Sequence, residues 1–180
     1  NNEDSAFDHA LAIRDARSGT IAADFASSAA APAVLASGAY RALDWWTGLG
    51  PEAGYSIPPD VSIAIAAFVD AGGAAIASGS GLTAALVAAG GSPASLASGT
   101  FGAWSDGSRC EGPITLPGSP GTMLAAGSGV ISPLGAAAPV AVCGDVGAAG
   151  VIVLPGADRG GSAILDFAIE SAGTAADRAA

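Results

Sequence analysis

The 180-residue chain predicts an α/β fold, a three-layer sandwich around a short, mostly parallel sheet that ends in a β-hairpin. Three observations carry this. The run Ala74-Ala75-Ile76-Ala77 passes through Ser78-Gly79-Ser80-Gly81 into a helical stretch, Leu82 to Ala89, giving the strand, tight turn and helix of a parallel crossover. Upstream, Asp60 stands as N-cap to Val61 to Ala71, with Ile63, Ala64, Ala67 and Phe68 on one face and Gly72-Gly73 as the stop. Downstream, Pro139 to Cys143 and Val151 to Leu154 are β-rich runs joined by Gly144 to Gly150.

The remaining elements follow from the same signals. Glu3 to Arg17 has acids early, arginines late and an apolar face at Phe7, Ala10 and Leu11, which suits an amphipathic helix and its dipole. Thr20 to Phe25 reads as a short strand and Ser27 to Ala33 as an Ala-rich connector. Tyr40 to Trp46 reads as a buried strand, stopped by Thr47-Gly48-Leu49-Gly50 and followed by a Pro- and Gly-rich loop to Pro59. Ser92 to Gly129 is punctuated by Gly, Ser and Pro around isolated apolar residues, so residues from about 92 to 129 form a loop-rich insertion with one or two short strands. Ser162 to Ala172 reads as the last helix, with Ile164, Leu165, Ala168 and Ile169 inward, and Gly173 to Ala180 as a fraying tail. Residues 1–180 form one domain.

Composition narrows the function classes. The chain holds 45 alanines and 27 glycines, so much of its 51% hydrophobic content is methyl groups. Six arginines, no lysine and 16 acids give a net charge of −10, with an isoelectric point near 4.1. Nucleic acid and anionic membrane surfaces are disfavoured, since phosphate binding needs clustered cations. The mean hydropathy is +0.51, yet the most apolar stretch, Val61 to Ala77, is broken by Asp70 and Gly72-Gly73, and no run approaches the roughly 20 residues of a spanning helix. Cys110 and Cys143 permit one disulfide, which would close a loop of about 34 residues and contribute about 3 to 4 kcal/mol. Two buried thiols are the alternative.

Chemistry is sparse. Ser80 is the candidate nucleophile, because a strand-to-helix turn exposes its central side chain beside backbone N–H groups that can bind an oxyanion. A hydrolase elbow needs Gly two residues either side of the Ser, whereas Ser78 and Leu82 stand there, and the only histidine is His9. The sequence therefore favours small residues packing a turn whose Ser78, Gly79 and Ser80 can bind a ligand. Asp44 and Asp158 are the candidate carboxylates near the C-terminal ends of strands, where α/β sheets bind ligands. His9 with Glu3, Asp4 and Asp8 reads as a helix start, and Ser105-Asp106-Gly107-Ser108 with Glu111 as a polar turn, so no metal is implied. Trp45 and Trp46, with Tyr40 and Tyr55, could stack on sugars. Neighbouring Trp on a strand point to opposite faces, which assigns one of them to the core.

In order along the chain, Asn2-Glu3-Asp4-Ser5-Ala6-Phe7-Asp8, Ala22-Ala23-Asp24-Phe25-Ala26-Ser27, Ser37-Gly38-Ala39-Tyr40-Arg41-Ala42-Leu43-Asp44-Trp45-Trp46-Thr47-Gly48 and the stretch from Ala67 to Ser80 resemble the α/β domain of exported bacterial proteins of the xanthan lyase-like or golvesin-domain kind. Gly150 to Gly156 and Asp166-Phe167 resemble that domain's last strand and helix. A more distant likeness is to class I glutamine-amidotransferase-like, flavodoxin-like domains. The chain departs from these patterns at polar positions: Gly48-Leu49-Gly50 lacks a carboxylate, Gly81 and Ala84 stand where an acid and a Trp occur, and no Cys occupies the turn. The family's strand before the first helix is also missing, which suggests a fragment of a larger protein. The resemblance implies an accessory, non-catalytic domain of an exported protein, at the cell surface or beyond it, that contacts extracellular polysaccharide or cell wall beside other domains of a larger chain, without a cofactor. The alternatives are a polysaccharide lyase or serine hydrolase using Ser80, and a structural spacer.

Overall fold

The computed structural model describes residues 26–47, 57–117, 122–123, 128–144 and 146–168. The expected helix over Glu3 to Arg17, the strand over Thr20 to Phe25, the His9 cluster, Tyr55 and the tail lie outside them. The described chain folds as a mixed α/β structure. Its main sheet has the order β1-β2-β9-β8-β7-β4-β5, made by Ala42–Trp46 (β1), Ala74–Ser78 (β2), Ile114–Thr115 (β4), Thr122–Met123 (β5), Ala138–Cys143 (β7), Gly147–Val153 (β8) and Ser162–Leu165 (β9). Ala103–Trp104 (β3) and Ser132–Pro133 (β6) form a separate antiparallel pair. β1, β2 and β9 run parallel, and from β9 outward every pairing is antiparallel. The parallel character therefore belongs to one half of the sheet, and the expected β7–β8 hairpin belongs to a wider antiparallel wing.

The helices are Ala31–Ala36 (α1), Pro59–Asp70 (α2), Leu82–Ala89 (α3) and Gly91–Ser95 (α4), the last running into a π-helical turn, Leu96–Thr100. α1 occupies part of the expected connector. α2 starts earlier than expected: Pro59 fits the first turn because its missing N–H needs no partner there, and Asp60 sits in that turn without capping it through its side chain. Its end is a Schellman motif, with Gly72 at φ +94° and the Gly72 and Gly73 N–H groups donating to Val69 O and Phe68 O. The buried face of α2 is Val61, Ser62, Ile65, Phe68 and Val69, while Ile63, expected inside, is 61% exposed. Residues 91–100, expected as loop, are helical because Pro93, Leu96 and Ala97 are buried where this segment packs on α2 and α3.

The largest correction concerns β9. Ser162 to Ala172 was expected to be a helix, but Ser162–Leu165 is a strand inserted between β2 and β8, with Ser162 and Ile164 fully buried. Paired residues of a sheet share a face, so Ala75, Ala77, Val151 and Ile164 line one side, where they meet Ile65, Leu86 and Phe101 in the principal core. A smaller cluster on the other side contains Ile114, Ala141, Cys143, Ala149 and Phe167. Cys110 and Cys143 are joined by a disulfide across 33 positions, which settles the open reading of the two thiols.

Candidate functional site

The strand-to-helix turn lies where parallel sheets place their ligands, at the C-terminal ends of β1, β2 and β9. Thr47 N–H donates to Ser78 O (2.9 Å) and Gly79 N–H to Leu165 O (3.1 Å), so the chain leaves all three strands at one level. Gly79 is required there because a Cβ would overlap Thr47 Oγ1, and Gly81 takes a left-handed φ of +68° to open α3. The turn is packed shut. Ser80 is 3% exposed, which removes it from the surface where an elbow nucleophile has to stand.

The group that dominates this end is Asp166, the residue directly after β9, which is fully buried. α3 has no capping side chain of its own. Its N-terminus is capped from 83 positions away, since Thr83 N–H donates to Asp166 Oδ1 at 2.6 Å. Asp166 O accepts from Gly129 N–H (2.9 Å), and Asp166 N–H donates to Ala149 O (2.8 Å). Asp166 Oδ2 is buried without a hydrogen-bond partner and lies so close to Gly129 that a Cβ there would overlap it. Burial pushes the carboxyl up to about 6, against the pull of the Thr83 N–H and, more weakly, of the Thr83 hydroxyl beside it. That hydroxyl faces the carboxylate without closing a hydrogen bond. The sequence did carry a signal: an acid directly after the aliphatic run Ala163-Ile164-Leu165 in an Ala-rich chain. Reading the segment as a helix hid it.

The other candidates are dispersed. Ser78 Oγ is buried without a partner, but Ser78 pairs with Leu165 and so faces away from Asp166. Asp44 is half-buried within β1, level with Ile76, short of the strand's end. Asp158 does lie past the C-terminal end of a strand, but at the opposite end of the sheet from the turn. It follows β8, which runs against β2 and β9, so it lies at their N-terminal end, opposite the turn. There an open groove of about 610 Å³ is lined by Asp70, Asp158, Arg159 and the backbone of several glycines. Trp45 and Trp46 are both half-buried, so β1 is only partly buried at the sheet's described edge. Trp45 packs on the principal core with its Nε1 buried and unpartnered, as expected for the inward one of the pair. Tyr40 is half-buried before β1. The Ser108 hydroxyl first, and then the Ser108 N–H that donates to Asp106 Oδ1 at 2.8 Å, hold the Asp106 carboxyl below the usual range and mark the 105–108 segment as a hydrogen-bonded turn. Among the described residues no three His, Cys, Asp or Glu side chains converge as a metal site would need, and no described helix is long and apolar enough to cross a membrane.

No protein-family model matches the chain, and no curated protein matches it. Among solved structures it is similar to the cold-adapted β-galactosidase from Rahnella sp. R3. The TM-score is 0.64 at 19% identity, over 99% of this chain and 26% of that one. At this identity the likeness is one of fold. The chain spans about a quarter of the β-galactosidase's length, and almost all of it is matched within that span.

Proposed function

We propose that this chain is an accessory, non-catalytic domain of an exported bacterial protein that handles carbohydrate, of the xanthan lyase-like or golvesin-domain kind, and that it contacts extracellular polysaccharide or cell wall beside other domains. The observation that carries this reading is the closure of the strand-to-helix turn. Ser80 and Asp166 are buried where a catalytic relative would open a cleft, and the Gly129 backbone lies on the carboxylate. Two further facts support it. The fold is shared with part of a glycosidase, and the Cys110–Cys143 disulfide suits an oxidising, extracellular setting.

The test is retention of the protein on immobilised polysaccharides, including xanthan, a neutral glucan and peptidoglycan. Trp46→Ala is the diagnostic variant, because Trp45 is tied into the core and its removal would confound folding with binding. Retention by the parent protein and at least tenfold weaker retention by the folded variant are expected. A blank panel would favour the spacer reading, and polysaccharide cleavage that Ser80→Ala abolishes would favour the enzyme.

A further inference from the structure

Asp166 is the buried ionisable side chain among the described residues, and the described elements packed against it bring the Thr83 N–H but no cationic side chain to its carboxylate. The described elements that hydrogen-bond to it or press on its carboxylate are α3, the 128–130 segment and β8. None carries a titratable side chain, and neither do β9 or the turn at 78–81. Arg109, bridged through its backbone to Gly129, is exposed to solvent. One carboxylate oxygen is bonded to the start of α3, and the other is pressed against Gly129 with no donor. An ionised oxygen in that position has lost its water without replacement. A protonated one carries no charge there and can turn its hydroxyl toward Thr83 Oγ1.

We propose that Asp166 is an acid-responsive latch: protonated, it closes the seal between the end of β9, the start of α3 and the 128–130 segment, and ionised, it draws water and loosens that segment. The raised position of its titration, from 3.8 to about 6, accords with this geometry. Because the folded state holds the proton more tightly than the unfolded chain, the contribution is fully present below about pH 4. It is lost as pH rises through about 6, and a shift of about two units corresponds to about a hundredfold change in the closing equilibrium.

The experiment is amide hydrogen exchange on the whole chain between about pH 4 and about pH 7, corrected for intrinsic exchange and read at Thr83, Gly129 and Val130. Protection is expected to fall with rising pH, by up to about a hundredfold. In Asp166→Asn, which mimics the protonated carboxyl in shape and carries no charge, protection at these amides is expected to stay constant. Exposed carboxylates contribute equally to both proteins, so the difference isolates Asp166. The same slope in both proteins, or no slope in the parent, would overturn the latch. Should the variant not fold, the carbon-13 shift of the Asp166 carboxyl in the parent decides: a midpoint near 6 supports the proposal and one near 4 refutes it.

Discussion

Beneath the described helices, the parallel strands β1, β2 and β9 and the adjoining β8 bury Ile65, Leu86, Leu96, Phe101, Val151 and Ile164 in one cluster. Across the antiparallel wing, the second cluster contains five buried residues, two of which are alanine and one Cys143. A covalent bond reinforces the second region, since Cys110–Cys143 ties the segment before β4 to the end of β7. In an alanine-rich chain, large side chains are the scarce resource. Here they are concentrated where helix packs on sheet, and the wing relies on chain-entropy restriction where hydrophobic area is thin.

Phe101→Ala should break the first region most severely. The ring is fully buried among α2, α3 and the π-helical turn, so its removal leaves a cavity that rigid neighbours cannot fill. A loss of about 4 kcal/mol is expected from urea unfolding. The paired substitution Cys110→Ala with Cys143→Ala should cost slightly less, about 3 kcal/mol, mainly by freeing the unfolded chain. The two differ in where the damage appears. Hydrogen exchange should accelerate first at β4–β7 amides and at Gly144, whose N–H donates to Pro113 O, in the cysteine variant. In Phe101→Ala it should accelerate first in α2 and α3. Uniform acceleration in both variants would erase the distinction between the regions.

That distinction also explains what the sequence disclosed. α2, β2, the turn at 78–81 and α3 were legible because each is local: a helical period, a Gly stop, a short aliphatic run and another helical period. The β7–β8 hairpin was legible for the same reason. β9 was not, because Ser162-Ala163-Ile164-Leu165 is too short to choose between periods. Its strand state is imposed by β2 and β8, which pair with it from 87 and 13 residues away at Ala75↔Ser162 and Val151↔Ile164. Asp166 was lost with it, since its burial depends on Gly129 and Thr83, both remote in sequence. Residues 91–100 misled in the opposite sense, with a loop's composition held helical by tertiary packing. Asp158 follows the C-terminal end of β8, and that this end is the one opposite the turn was not legible because sequence order alone did not give the direction of β8 relative to β9.

The smallest effect concerns a join within the first region, at the entry of β9. Arg159, in the β8–β9 connection, donates through Nε to Asp70 Oδ1 (3.1 Å) and through Nη2 to Gly99 O and Thr100 O (both 3.2 Å). Ser162 Oγ, at the start of β9, donates to the same Thr100 carbonyl at 2.6 Å. Arg159 thus links the end of α2 and the π-helical turn to the entry of the central strand. The ion pair itself is weak, since Asp70 is 68% exposed and salt screens it. The carbonyl bonds matter more, because they satisfy acceptors at a helix end that has no further turn to do so. Arg159→Ala is therefore expected to cost about 1 kcal/mol, and Asp70→Ala about half of that or less. Added salt should shrink the Asp70 effect and leave most of the Arg159 effect in place. Arg159→Lys should recover only part of the loss, because an ammonium lacks the planar fork that reaches a carboxylate and two carbonyls together. If Asp70→Ala equalled Arg159→Ala, the link would be the ion pair alone, and the join would depend on ionic strength in a way the carbonyl bonds do not allow.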